Sequence, residues 1–171
     1  LTYPLVRHPF NPDFVRGETL VRFARAAEAA GFSGLAFTDH PAPSQKWLQG
    51  GGHDALDPFA ALSFVAGVTT TLRLIPNIVV LPYRNPFVVA KAAATIDALS
   101  GGRFTLSVVT GYLRSEYRAL SVDFERRNDV VRVHRVNDGI GHHALGFTFV
   151  AGKARTCLAP FFDFRRPERT M

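Results

Sequence analysis

The sequence predicts an α/β protein with a parallel sheet and helices outside it, and three neighbouring stretches carry that prediction. Leu72 to Val80 is nearly continuous Leu, Ile and Val, as expected of a strand covered on both faces. A helix follows, in which Asn85 can cap the first turn and Pro86 sits where a missing N–H costs nothing. Val89, Ala92, Ala93, Ile96 and Leu99 repeat at helical spacing, and Gly101 supplies the stop. In Arg103 to Val109, Phe104, Leu106 and Val108 alternate with Thr105, Ser107 and Val109, which reads as the next strand. Strand, helix, strand at this length is a βαβ unit. It should cross over right-handed and gather its loops at the carboxyl ends of the strands.

The earlier chain repeats the pattern. Leu1 to Val6 reads as the tail of a first strand, and Arg7 to Pro12 as a loop, because two prolines and an asparagine forbid a regular element. From about Asp13 a helix builds, with Leu20, Phe23, Ala24 and Ala27 on one face and Gly31 just past its end. Gly34 to Thr38 is a short strand with Asp39-His40-Pro41 at its carboxyl end. Pro43 to Gly52 is a polar loop carrying Trp47, and loops longer than the minimum usually serve ligands or partners. Asp57-Pro58 then caps a helix with Phe59, Leu62, Val65, Ala66 and Thr69 inward. Such alternation means a parallel sheet with helices outside.

Beyond Gly111 the signal weakens. Residues 112–128 read as a helical turn, a loop and the start of another helix. From 132 to 171 the chain is basic and aperiodic, apart from a possible strand at Leu145 to Val150. That stretch reads as a frameshifted or disordered tail.

Bulk properties bound the function. A chain of 171 residues with 47% hydrophobic and 20% charged residues can bury a core and most simply forms one domain. One cysteine forbids an internal disulfide and points to a reducing, cytoplasmic compartment. No run of about 18 apolar residues marks a membrane span, and Leu1 opens no secretion signal, while the absence of an initiator Met suggests a processed or incomplete N-terminus. The net charge of +6 comes largely from the late basic stretch, and without a basic stripe interleaved with aromatics it does not indicate nucleic acid.

Among chemistry-bearing residues, Asp39-His40 stands out. A group that titrates near neutrality, beside a carboxylate at a strand's carboxyl end, suits proton transfer. The competing reading is a capping Asp and a surface His before Pro41. His40, His53, Asp54 and Asp57 match no metal-ligand spacing, so no metal is expected. Gly139-Ile-Gly141 has no strand before it and is no dinucleotide fingerprint, and His142-His143 lies in the doubtful tail. Serine-hydrolase elbows and P-loops do not occur in the sequence.

Four stretches together resemble the luciferase-like flavin and deazaflavin oxidoreductases. They are Gly31-Phe-Ser-Gly-Leu-Ala-Phe-Thr-Asp-His40, the segment from Leu74 to Pro86, Lys91 to Phe104, and Gly111 to Phe124. The likeness is strongest to the branch that uses coenzyme F420 in place of FMN. It implies a (β/α)8 TIM-barrel fold, of which residues 1–131 supply only about the first four βα units. It also implies a flavin-type ring at the carboxyl ends of the strands. By resemblance His40 would move a proton, and Asp39 would orient it or bond the ring. Asn77-Ile78 would form a non-proline cis peptide backing the ring, and Thr110 and Gly111 would line its edge. The implied chemistry is hydride transfer between reduced F420 and a small organic substrate, or monooxygenation in the FMN branch. The full-length family implies a homodimer. A complete barrel needs about 250 residues, so the alternative is a non-catalytic half-barrel that binds a ligand or a partner. A metal-dependent barrel using His40 and His53 is the third reading.

Overall fold

The computed structural model describes residues 1–129. Within them the order of elements is α1 (Gly17–Ala29), β1 (Gly34–Phe37), α2 (Gln45–Gln49), α3 (Pro58–Ala66), β2 (Arg73–Pro76), β3 (Val79–Val80), α4 (Pro86–Leu99), β4 (Val108–Val109) and α5 (Arg114–Ala119). All strand pairing is parallel. Gly34 to Phe37 sits opposite Arg73 to Pro76, and Val79-Val80 opposite Val108-Val109. Isolated parallel bridges join Thr2 to Ala36 and Leu74 to Phe104. The strands form two two-stranded sheets, β1 with β2 and β3 with β4, and the isolated bridges add Thr2 beside β1 and Phe104 beside β2, so successive βα stretches pair in chain order.

The helix starts follow the predicted caps. Asp57 accepts from the N–H groups of Phe59 and Ala60 at 3.0 and 2.9 Å, and Asn85 accepts from Phe87 N–H at 2.9 Å. The buried face of α1 is Leu20, Ala24 and Ala27, that of α3 includes Leu62 and Val65, and that of α4 is Val89, Ala90, Ala93 and Ile96. All of these except Ala90 pack with Leu35, Phe37, Leu72, Leu74, Phe104 and Leu106 into one core. Each fully buried Leu or Phe contributes about 1.5–3 kcal/mol relative to exposure.

Several expectations are corrected. The single strand at Leu72 to Val80 is two strands, Arg73–Pro76 and Val79–Val80, with the exposed Asn77 and Ile78 joined by a cis peptide between them. The first strand shrinks to a bridge at Thr2, with Pro4 beyond it. A 3-10 turn at Pro12–Val15 precedes α1, so the helix begins at Gly17 and not at Asp13. Only Val108–Val109 and the bridge at Phe104 remain of the strand at Arg103 to Val109. Leu99 is 79% exposed, since the stripe from Ile96 continues to Ser100, four residues on, and leaves Leu99 one step round the helix. The expected tail, the strand at Leu145 to Val150 and His142-His143 lie outside the described residues.

Candidate active site

The carboxyl ends of the strands converge. Asp39 and His40 follow β1, Asn77 and Ile78 follow β2, and Thr110 and Gly111 follow β4. All six line one cavity of about 450 Å³, together with Val80, Tyr83, Val109, Tyr112, Leu113 and Glu116. Residues up to 77 positions apart in the chain thus share one site because parallel strands put every carboxyl end on the same side.

Asp39 is 3% exposed and heavily bonded. Its Oδ2 accepts from Val80 N–H at 2.9 Å and from Arg84 Nη1 at 2.6 Å, while Oδ1 accepts from Arg84 Nη2 at 2.8 Å. The same Nη2 reaches Asp57 Oδ2 at 3.1 Å. Burial works against the Arg84 charge, but the bonds and charge of Asp39, then of Asp57, outweigh it and raise the guanidinium's pKa. A buried carboxylate is stable only when paired and bonded in this way. Asp39 therefore fastens the end of β1 to the end of β3 and, through Arg84, to the cap of α3.

The carboxylate on His40 is Glu116, not the neighbouring Asp39. Glu116 is 1% exposed, and its Oε2 lies 3.3 Å from His40 Nδ1 and accepts from the Tyr83 hydroxyl at 3.0 Å. Its Oε1 accepts from Ala42 N–H at 3.3 Å. Burial, followed by the Glu116 charge, pushes the Tyr83 hydroxyl pKa well up, so Tyr83 keeps its proton. The Tyr117 hydroxyl donates to Thr110 O, and burial raises it to about 12. Trp47 lies against His40 with ring centroids 4.5 Å apart, and His53 meets the same imidazole edge-on at 4.9 Å.

The residues missed by sequence reasoning are Glu116, Tyr83 and Arg84. Glu116 recurs with Tyr117 as an inward pair on α5, but a six-residue helix shows no clear period. His53 and Asp54 do not assemble a metal site with His40. Asp54 instead pairs with His8 Nδ1 at 2.7 Å, His53 Nδ1 contacts the Asp54 carbonyl, and no group of three or more His, Cys, Asp or Glu able to hold a metal occurs among the described residues.

A parallel β/α layer with its polar groups at the strand carboxyl ends is the arrangement of α/β proteins, TIM barrels among them. The sequence also matches the luciferase-like monooxygenase family profile over residues 11–132. The chain belongs to that family. It is 34% identical over 92 residues to pyrimidine monooxygenase RutA of Allorhizobium ampelinum, covering 51% of this chain and 23% of that protein. Its fold matches the oxygenating constituent of 3,6-diketocamphane monooxygenase from Pseudomonas putida, solved in complex with FMN. There the TM-score is 0.63 at 19% identity, over 77% of this chain and 35% of that one. A riboflavin lyase solved with modified FMN and its substrate riboflavin aligns at TM-score 0.59 and 25% identity, over 74% of this chain and 31% of that one. The chain thus spans about a quarter to a third of the length of these relatives.

Proposed function

We propose that residues 1–131 are the first four βα units of a luciferase-like barrel enzyme, an oxidoreductase that holds a flavin-type ring in the cavity at the strand ends. The observation that carries this reading is the convergence of His40, Asn77-Ile78 and Thr110-Gly111 on one cavity of about 450 Å³. That volume falls in the range of about 300–1,000 Å³ typical of small-molecule sites. Its walls suit a flat ring, with Ile78, Val80, Val109 and Leu113 giving apolar faces and Tyr83, Thr110 and His40 giving polar edges. Gly111 fits close approach as well, since its φ of 74° and the space taken by Val80 leave no room for a Cβ. Asn77, Ile78, Thr110 and Gly111 would hold the ring.

When bound, such a cofactor supplies hydride transfer or dioxygen activation. The chain's own residues provide the rest. His40 holds or moves a proton at the cavity wall, and Glu116 steadies the imidazole. Asp39 acts through position, its oxygens being given to Val80 and Arg84. The family resemblance puts coenzyme F420 first, with hydride transfer between reduced F420 and a small organic substrate. The relatives named as monooxygenases, and the FMN of the riboflavin lyase structure, favour FMN at least equally. A homodimer in the cytoplasm belongs to the same proposal. No helix among the described residues is long and apolar enough to cross a membrane.

Titration of the purified 171-residue chain with FMN and, separately, with F420 tests the reading. Saturable binding of one of them at micromolar concentration is expected, with quenching of Trp47 beside His40. If neither binds, the non-catalytic half-barrel becomes the better description.

A further inference from the structure

Glu116 is a buried carboxylate, and its surroundings are specific. Three groups face it. The Ala42 N–H and the Tyr83 hydroxyl are donors, and the third is His40 Nδ1. An ionised carboxylate offers acceptors only, so the ring nitrogen turned toward it must carry hydrogen. Burial and the Glu116 charge keep the Tyr83 proton in place, so the hydroxyl donates to Glu116 Oε2. We infer that Glu116 is a positioning residue which locks neutral His40 as its Nδ1–H tautomer, leaving Nε2 as the atom that takes or returns a proton at the cavity. The inference rests on the functional reading above for the use of that proton, but the tautomer itself is a property of the chain alone.

Glu116 also links three parts of the chain that otherwise share few contacts. It stands on α5, after β4, and it grips the His40–Ala42 turn after β1 and Tyr83 after β3. One side chain therefore sets the ring's orientation, its tautomer and the place of the loop that carries Trp47. Trp47 on one face and His53 at the edge of the imidazole leave the ring little freedom to turn.

Substitution by Gln makes a sharp prediction. The amide has one oxygen and one NH2, and the fixed Ala42 N–H can only be met by the oxygen. The NH2 must then face Tyr83 and His40. The Tyr83 hydroxyl can rotate to accept, and His40 Nδ1 must lose its hydrogen to do the same. Glu116→Gln should therefore invert the tautomer to Nε2–H. Long-range 15N–1H correlation of the His40 ring, in the whole 171-residue chain at a pH where the imidazole is neutral, reads this directly. The wild-type ring should favour Nδ1–H by about five- to tenfold, the ratio that one net hydrogen bond supports, and Glu116→Gln should reverse it.

A wild-type ring protonated at Nε2 overturns the inference, and so does an unchanged ratio in a folded Glu116→Gln chain. Should that variant not fold, the wild-type spectrum still decides. Tyr83→Phe adds a second check, because it keeps the Glu116 carboxylate facing His40 Nδ1 and must leave His40 as Nδ1–H. Flavin titration separates the two levels of argument. An inverted tautomer with no flavin or F420 binding removes the functional reading and leaves the positioning role standing, whereas binding with no tautomer change does the reverse.

Discussion

Gly111 is the residue at which backbone and cavity constrain each other most tightly. Its φ is 74°, in the left-handed region that costs an L-residue about 1–2 kcal/mol. A Cβ there would sit 2.5 Å from Val80 Cγ1 and 3.4 Å from the Tyr117 ring. Val80 cannot yield easily, because its N–H is bonded to the buried Asp39. Gly111→Ala should therefore lower stability by about 2–4 kcal/mol, combining backbone strain with overpacking. Urea unfolding at neutral pH measures it, and a loss under about 0.5 kcal/mol would contradict the close packing described here. The sequence marked Gly111 only through family likeness. The neighbour that makes glycine necessary, Val80, is 31 positions away.

Among the elements, the end of α3 and the end of α4 depend on one side chain. Arg103 Nε donates to Ser100 O at 2.8 Å, Nη1 to Thr69 Oγ1 and Leu72 O, and Nη2 to Ala66 O and Thr69 O at 2.9 and 3.0 Å. Helix ends leave carbonyls without partners, and here a single guanidinium satisfies those of α3, of the turn into β2 and of the cap of α4. Arg103→Met would strand these acceptors at a cost of about 2–4 kcal/mol, and Lys, with three donors and no planar fork, should restore less than half. Thermal unfolding of the three chains gives the ranking, and equal midpoints would dismiss the role. From sequence Arg103 was simply the first residue of a strand. Its fork is legible only when two helix ends meet, because the partners come from two different elements.

At the scale of the whole molecule, long-range ties hold the layers in register. Glu28 on α1 accepts at one oxygen from the N–H groups of Thr70, Thr71 and Leu72 and from the Thr71 hydroxyl, 2.6 to 3.0 Å away. The Thr71 N–H bond is the largest influence. Partial burial opposes it, and the remaining bonds help it hold the carboxyl at about 2, against an ordinary 4.5. A folded-state pKa below the unfolded one stabilises above the unfolded value and is lost as pH falls through the folded value. The stability gap between wild type and Glu28→Gln should therefore be constant above about pH 5 and close between 4.5 and 2. Denaturant midpoints at pH 7, 4 and 2.5 follow it; a gap independent of pH would show that the charge of Glu28 is not involved.

The sequence by itself determined the alternation of strand and helix, the caps at Asp57 and Asn85, and the family to which the chain belongs. These are legible because they rest on local hydrogen bonds and on apolar periods of two and 3.6 residues, which a chain displays in order. It also marked His40, Asp39, Asn77-Ile78 and Thr110-Gly111, which the structure brings to one cavity. Only the tertiary structure decided which carboxylate serves His40. Asp39 is adjacent in the chain, yet Arg84 and Val80 take its oxygens, and Glu116, 76 positions away, reaches the imidazole instead. The break of Leu72 to Val80 into two strands was not visible in the apolar run itself, which records burial and not pairing, and only the family resemblance marked Asn77-Ile78. Hydrogen-bond partners across a parallel sheet are chosen by register and approach, and a list of residues carries neither.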